Sequence, residues 1–438
     1  MITRFKNKVM QFGGNISFIV SGNHFPNGAI QFVSAAPVQK NFTVSINYND
    51  GTEPVVYSSL GSTGKVLNLY NPGHVNINPA TANYSGKVFS DGNKNDRIVV
   101  INCSDWSVIT GISMSGQLFS KTQSLGIPFR LMRNLAGFGA TNGLGGGGAY
   151  ARITDIDAAL FSLPALRSLS LGGSSFEITS RYYGYLQPAF INPNLTSLLI
   201  GGPGYTGKSF TAANLTAING VALPQLTSFS FNGGMIGGND NGFGEGPFPV
   251  EWTTLNKLLV FGCNTTAWTS IPDRINSMSN TLTNLNFTYC GQIVSWANDL
   301  SNLVNLSTLV LTRCVNFPTT VPGYIASLTK LKNLNMGGVF PVNRQAGAID
   351  AFIDNWYAFV VANAAITGAN ALPFRGMVFD IRSEDIVNIP DGVQIPTGVY
   401  QAPAGFVSGV SNGTPGSSLE KIYVMEVQYG HIWRYRTV

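Results

Sequence analysis

Between Leu166 and Met336 apolar residues recur seven times in the order apolar-x-x-apolar-x-apolar, with mostly polar or small residues in the gaps. The sets are Leu166-Leu169-Leu171, Leu195-Leu198-Ile200, Leu226-Phe229-Phe231, Leu255-Leu258-Val260, Leu282-Leu285-Phe287, Leu306-Leu309-Leu311 and Leu331-Leu334-Met336. Their first positions lie 29, 31, 29, 27, 24 and 25 residues apart. In an extended chain residues two apart share a face, so the second and third apolar positions of each set point one way and the residue between them the other. Strands repeated at this interval predict a parallel sheet with one buried side, each turn returning along the opposite side of a coil. The return segments 271–282 (IPDRINSMSNTL) and 322–331 (PGYIASLTKL) carry apolar residues at helical spacing and predict helical turns. Neighbouring turns then bury one continuous core. The sets Ile109-Ile112-Met114 and Phe374-Met377-Phe379 extend the run at either end, and a less regular one starts at Met132-Leu135.

Three of the sets are followed, three residues after their last apolar position, by a cysteine: Cys263, Cys290 and Cys314. This pattern, at a period near the family's range of about 20 to 29 residues, resembles the leucine-rich-repeat family. The resemblance implies an α/β leucine-rich-repeat solenoid over 106–382, a parallel sheet backed by convex helical or irregular segments. It also makes the three cysteines a buried structural ladder, small hydrophobes rather than disulfide halves.

The flanks read differently. Within residues 1–105, apolar or alternating runs at 16–20, 42–48, 55–57, 66–69 and 98–103, separated by Gly, Asn and Pro turns, predict an N-terminal β-sandwich. Its segment 44–52 (VSINYNDGT) resembles the strand-and-turn signature of PKD-type domains, with Tyr48 where that signature carries tryptophan. A PKD-like domain ahead of leucine-rich repeats resembles surface proteins of Bacteroidetes-type bacteria and the virion proteins of their phages. Residues 346–365 predict a longer helix, and the glycine-rich 137–148 (GFGATNGLGGGG) predicts a flexible or close-contact segment without a core of its own. Residues 383–438 predict a C-terminal β-hairpin extension, turning near Tyr429-Gly430 within KIYVMEVQYGHIWRYR.

Charge narrows the function. Only 11% of residues are charged, against about 25% in an average domain, and the net charge of +5 is spread without a basic run. No electrostatic footprint for nucleic acid follows, and no run is long enough to insert in a membrane. The N-terminus has a short apolar stretch after Gly13-Gly14 and reads as no secretory signal. A Ser-, Thr-, Asn- and Gly-rich surface made without an export signal is what a phage particle protein released by lysis would show.

Candidate chemistry is sparse. Residues 202–209 (GPGYTGKS) match the phosphate-loop pattern, but they follow a strand in register with the other repeats, and Lys208 reads as a loop residue. His24, His74 and His431 lie apart, without ligand-spaced partners, and read as turn or surface residues. Asn239, Asp240, Asn241 and Glu245 lack the regular spacing of a calcium loop. No catalytic residue, metal or cofactor is assigned, and the chain reads as no enzyme.

Recognition candidates remain. Tyr182, Tyr183 and Tyr185 cluster on an insert where rings could stack on a sugar or anchor an interface. On the strands they are Asn286 and Asn335, between apolar positions, with Tyr289 and Arg313, each just before a ladder cysteine. The same reading puts Leu259 and Phe261 on the concave face. The function expected is a non-enzymatic structural or adhesive protein of a phage virion, at the tail tip, baseplate or a fibre. Its expected partners are other virion proteins, further copies of itself, and a host-surface glycan or protein. The alternative is a bacterial cell-surface adhesin of the same architecture.

Overall fold

The computed structural model describes residues 14–20, 28–35, 39–60, 66–70, 97–116, 124–141, 155–172, 192–201, 216, 218–232, 248–264, 268–278, 280–340, 345–367, 376–382, 396–410 and 413–435. They fall into two compact units, one of Met1–Phe210, Asn214–Leu226 and Phe231–Asn239, the other of Thr211–Ala213, Thr227–Ser230 and Asp240–Val438.

The first unit contains β1 (Ile16–Val20), β2 (Gly28–Val33), β3 (Thr43–Asn47), β4 (Val55–Ser58), β5 (Val66–Tyr70) and β6 (Arg97–Cys103). They are followed by β7 (Gly111–Gly116), β8 (Ser124–Leu125), β9 (Gly137–Thr141), β10 (Asp155–Ile156), β11 (Ser168–Gly172) and β12 (Ser197–Gly201). An antiparallel sheet runs β1-β6-β3-β4. A second runs β5-β2-β7-β9-β11-β12, antiparallel up to β7 and parallel from there on. Residues 1–105 therefore supply one complete sheet and two strands of the repeat sheet.

The strand and turn expected at 44–52 form. Val44 and Ile46 are buried from β3, Tyr48 is 1% exposed, and Asn49 and Gly51 take left-handed φ of 50° and 80°. The Asp50 carboxylate closes the turn, accepting from Thr52 N at 3.3 Å and Thr52 Oγ1 at 2.6 Å. The start of the glycine-rich 137–148 is strand β9, the close-contact form of the two expected there, and it does carry a core residue. Phe138 supplies its core contact, and Gly139 lies between Ser113 and Ser170 of the neighbouring strands, where no side chain is needed.

The second unit carries residues 228–230 of β13 (Ser228–Asn232), then β14 (Val260–Asn264), β15 (Asn284–Thr288) and β16 (Thr308–Val310). β17 (Asn333–Asn335), β18 (Val378–Asp380) and β19 (Ile432–Arg434) come next, with helices α1 (Gln345–Thr367) and α2 (Ser418–Tyr429). The strands stack in chain order, and β14 to β19 pair parallel. One register line runs Phe261, Leu285, Leu309, Leu334, Phe379 and Trp433, all buried. This is the inner ladder of a parallel repeat sheet. Return segments are tight 3-10 turns at Val250–Thr254, Asp273–Ser277 and Gly323–Ser327 rather than α-helices. Each comes directly after a proline and buries one residue, Trp252, Ile275 or Ile325. A 3-10 turn rises about 2.0 Å per residue against about 1.5 Å in an α-helix, so it crosses the back of a short repeat with fewer residues.

Three expectations need correction here. The fourth repeat is Leu258-Phe261-Cys263, three residues on from Leu255-Leu258-Val260, because Phe261 pairs with Leu285 and Cys263 with Phe287. Both phases put leucine first; burying Phe261 while Leu259 stays 42% exposed decides between them. The downstream repeat is likewise Gly376-Phe379-Ile381, since Phe379 is the residue opposite Leu334. Finally, the tail forms no hairpin at Tyr429-Gly430. Ser417 and Glu420 make a reciprocal capping box that starts α2, and Gly430 ends it in the left-handed conformation (φ 65°). β19 then adds parallel to β18.

Helix α1, expected at 346–365, closes this end of the core. Its Trp356 lies 4.9 Å from Phe379, whose ring stacks on Trp433 at 4.2 Å, and its Phe352 meets Trp433 edge-on at 6.3 Å. The Asp350 carboxylate ties α1 to Thr397 and to the start of α2, accepting from Thr397 N at 3.0 Å and from Ser418 Oγ at 2.5 Å.

Candidate functional site

Residues between the buried positions form rows across the second unit. The register aligns Gly262, Asn286, Val310, Asn335, Asp380 and Arg434. Two residues along the chain come Thr288, Thr312, Gly337 and Arg382, then Tyr289, Arg313 and Gly338. These last three share a left-handed backbone, with φ of 56°, 56° and 69°. Their N–H groups reach forward to the next repeat, donating to Thr312 O at 2.9 Å, Gly337 O at 2.7 Å and Arg382 O at 2.9 Å. Left-handed conformation costs a side-chain-bearing residue roughly 1–2 kcal/mol, and here those inter-repeat hydrogen bonds offset it. The Arg313 guanidinium lies over the Tyr289 ring, 4.7 Å from its centroid.

The polar groups of the rows bond to one another in a consistent sense. Asn335 Oδ1 accepts from Gly337 N at 3.0 Å and from Thr312 Oγ1 at 3.2 Å, and Asn286 Oδ1 accepts from Thr288 Oγ1 at 2.6 Å. Both oxygens of Asp380 are engaged by Arg382, at 3.0 Å from Nε and 2.7 Å from the terminal nitrogen. That pairing holds the Arg382 guanidinium above its ordinary pKa. The acceptors are thus used internally, while the amide donors of Asn286 and Asn335 and the Arg434 guanidinium have no partner among the described residues.

Of the residues singled out from sequence, Asn286, Tyr289, Arg313 and Asn335 are brought together on β15 to β17 and the turns after β15 and β16. Tyr182, Tyr183 and Tyr185 lie outside the described residues, as do 202–209, Asn239, Asp240, Asn241, Glu245, His24 and His74. The face position of the fourth repeat is Gly262, not Leu259 or Phe261, and Phe261 is fully buried. Asp380, Arg382 and Arg434 were missed because glycine opens one repeat and an aromatic fills the buried position of the next, which hides the period; a carboxylate two residues before an arginine was the available signal.

The cysteines need one revision. Cys290 and Cys314 hold the ladder position, donating to Cys263 O at 3.7 Å and to Phe287 O at 3.4 Å. Cys263 is instead the last buried strand position of its repeat, aligned with Phe287. All three are buried free thiols. Burial first, then Cys290, pushes Cys263 well above the thiol range; for Cys314 the contact with Cys290 leads and burial comes second. His431 is a core residue, 4% exposed beside Phe379, and burial lowers its pKa to about 3. Its place after the C-cap glycine, on the way into β19, overrides its polar character.

Among the described residues no group of three or more His, Cys, Asp or Glu side chains is placed to hold a metal ion. Among them, too, no helix is long and apolar enough to cross a membrane. The matching face of the first unit is smoother: a depression of about 240 Å³ lined by Gly111, Gly137, Gly139, Ser113, Ser168 and Ser170, among others.

No family model matches the chain, and no curated protein matches it. Among solved structures it is similar to the leucine-rich-repeat protein LIC12759 of Leptospira interrogans, with a TM-score of 0.31 at 19% identity over 51% of this chain and 48% of that one. It is also similar to the functional domain of InlJ from Listeria monocytogenes, which includes a cysteine ladder, with a TM-score of 0.28 at 17% identity over 47% and 40% of the two chains. A third is the Toll–Spatzle complex of Drosophila, with a TM-score of 0.27 at 16% identity over 50% and 33%. The chain spans less than half the length of each of these. The repeat character rests on the strand register described above.

Proposed function

We propose that this chain is a non-enzymatic recognition protein whose working surface is the β15–β19 face of the second unit. The observation that carries the reading is the consistent sense of the hydrogen bonds there. Asn335 has its oxygen fixed by a backbone N–H and Asn286 by the Thr288 hydroxyl, leaving the amide donors of both unpartnered among the described residues, beside arginines in a chain only 11% charged. A face that served only to separate the coil from water needs no such order. The test is the triple variant Asn286→Ala, Thr288→Ala, Asn335→Ala, which keeps every buried position. Full adsorption to target cells with an intact fold would sink the reading.

In its finer form the proposal makes this chain a component of a phage virion, in tail tip, baseplate or fibre, present in several copies and docked onto other virion proteins. Support comes from the low charge of the whole sequence and from the PKD-like turn at 44–52 ahead of leucine-rich repeats. Mass spectrometry of purified virions and of host envelope decides it. Recovery from virions is expected; recovery from envelope alone would make the chain a bacterial adhesin.

A further inference from the structure

We propose that the β17–β19 end of this face binds the carboxylates of an acidic polysaccharide. The inference rests on the recognition surface just described and adds the chemistry of its ligand. Across the rows of β14 to β19 and the turns after β15 to β17, the described charged residues are Arg313, Arg382, Arg434 and Asp380. Both Asp380 oxygens are taken by Arg382. Arg434 sits opposite Asp380 in the register, is exposed, and has no side-chain partner among the described residues. The Arg382 side chain is 48% exposed even while paired. Arg313 is held in place by its stacking on Tyr289 and by its left-handed backbone. Planar guanidinium forks match carboxylates in two-pronged geometry.

The neighbours of these arginines select among carboxylate carriers. They are Asn286, Asn335 and Thr288, hydrogen-bonding groups that suit a chain of hydroxyls. The apolar members of the rows are Val260, Val310, Val378 and Ile432, and the aromatic one, Tyr289, has its ring under the Arg313 guanidinium rather than standing out as an anchor. A protein partner draws its affinity from buried aromatic and apolar anchors seated in pockets, and these rows present none. A polyhydroxylated chain carrying carboxylates satisfies the donors without needing such anchors.

The experiment titrates the full chain with polygalacturonate, with its fully methyl-esterified form, and with poly-glutamate. Polygalacturonate is expected to bind, with the ester and the polypeptide at least roughly tenfold weaker and affinity falling as salt rises. Arg434→Gln, on an exposed strand position, should weaken binding by roughly tenfold, Arg434→Lys by less, and Arg313→Gln should weaken it independently. Absence of polygalacturonate binding, equal binding of poly-glutamate, or an unaltered Arg434→Gln titration would each overturn the assignment. If the Asn286, Thr288, Asn335 variant still loses cell adsorption in that case, the recognition surface stands and only the acidic sugar falls.

Discussion

At Gly338 the left-handed backbone is shared with Tyr289 and Arg313, yet only there would a side chain meet a neighbour closely: an added Cβ would stand 3.0 Å from Arg313 Cγ. Gly338→Ala should therefore cost about 1–2 kcal/mol from backbone strain alone, and shift Arg313 off the Tyr289 ring. Urea unfolding measures the first effect, and the NMR shifts of the Tyr289 ring protons the second. His431 gives a pH test. Its folded pKa of about 3 lies below the ordinary value of 6.5, because burial disfavours the imidazolium. Between those limits the unfolded chain holds a proton that the folded chain does not. The stability linked to His431 is therefore complete above about pH 6.5 and is lost as pH falls toward 3, at up to ~1.4 kcal/mol per pH unit. His431→Phe should flatten the stability profile between pH 7 and 4; an unchanged slope would show that the ring is not held neutral. For the thiols, alkylation of the native protein should reach Cys103 alone, slowly, since burial pushes its pKa to about 11. Rapid native labelling of Cys290 or Cys314 would contradict the ladder.

Among the elements, the repeats were legible wherever three apolar side chains stood at their positions without a competing set. Leu282-Leu285-Phe287, Leu306-Leu309-Leu311 and Leu331-Leu334-Met336 are in the register seen in β15, β16 and β17. In LNKLLVFGC two phases overlap, and only burial separates them: Phe261 is inside at 0% exposure and Leu259 is 42% exposed. Local pattern could not choose, because the neighbouring strand selects the phase. Phe261→Ala should thus cost about 3–5 kcal/mol, while Leu259→Ala should stay within about 0.5 kcal/mol. Equal costs would return the repeat to its other phase. The tail was misread for a related reason: alternating aromatics in 421–436 suit a strand, but the capping box at Ser417 and Glu420 starts a helix first. Ser417→Ala should cost about 1 kcal/mol through α2. The site was half legible. Asn286 and Asn335 come directly from the period, whereas the arginines of β18 and β19 become neighbours only once α1 and α2 are seen to lie between consecutive strands of one sheet.

For the molecule as a whole, the sheet order changes how docking onto a particle through residues 1–105 can be tested. β2 pairs along all of β7, from Gly28 opposite Gly116 to Val33 opposite Gly111. Removing residues 1–105 would strip β2 and β5 from the repeat sheet, leaving β7 as a bare edge and uncovering Ile112 and Met114, which are 3% and 0% exposed. An unpaired, apolar strand edge templates association with other chains. The truncated protein should therefore aggregate, which light scattering would report, and its absence from particles would say nothing about docking. Surface substitutions separate the two effects. On β4 and just beyond it, Val56 is 65% exposed and Leu60 is 72% exposed, large apolar side chains at the edge of the β1-β6-β3-β4 sheet. Val56→Lys with Leu60→Lys should leave stability within about 0.5 kcal/mol, since neither side chain is in the core. If the N-terminal segment docks the chain through this edge, the double variant stays monodisperse yet fails to enter particles. Incorporation at the wild-type level would move the attachment surface away from β4.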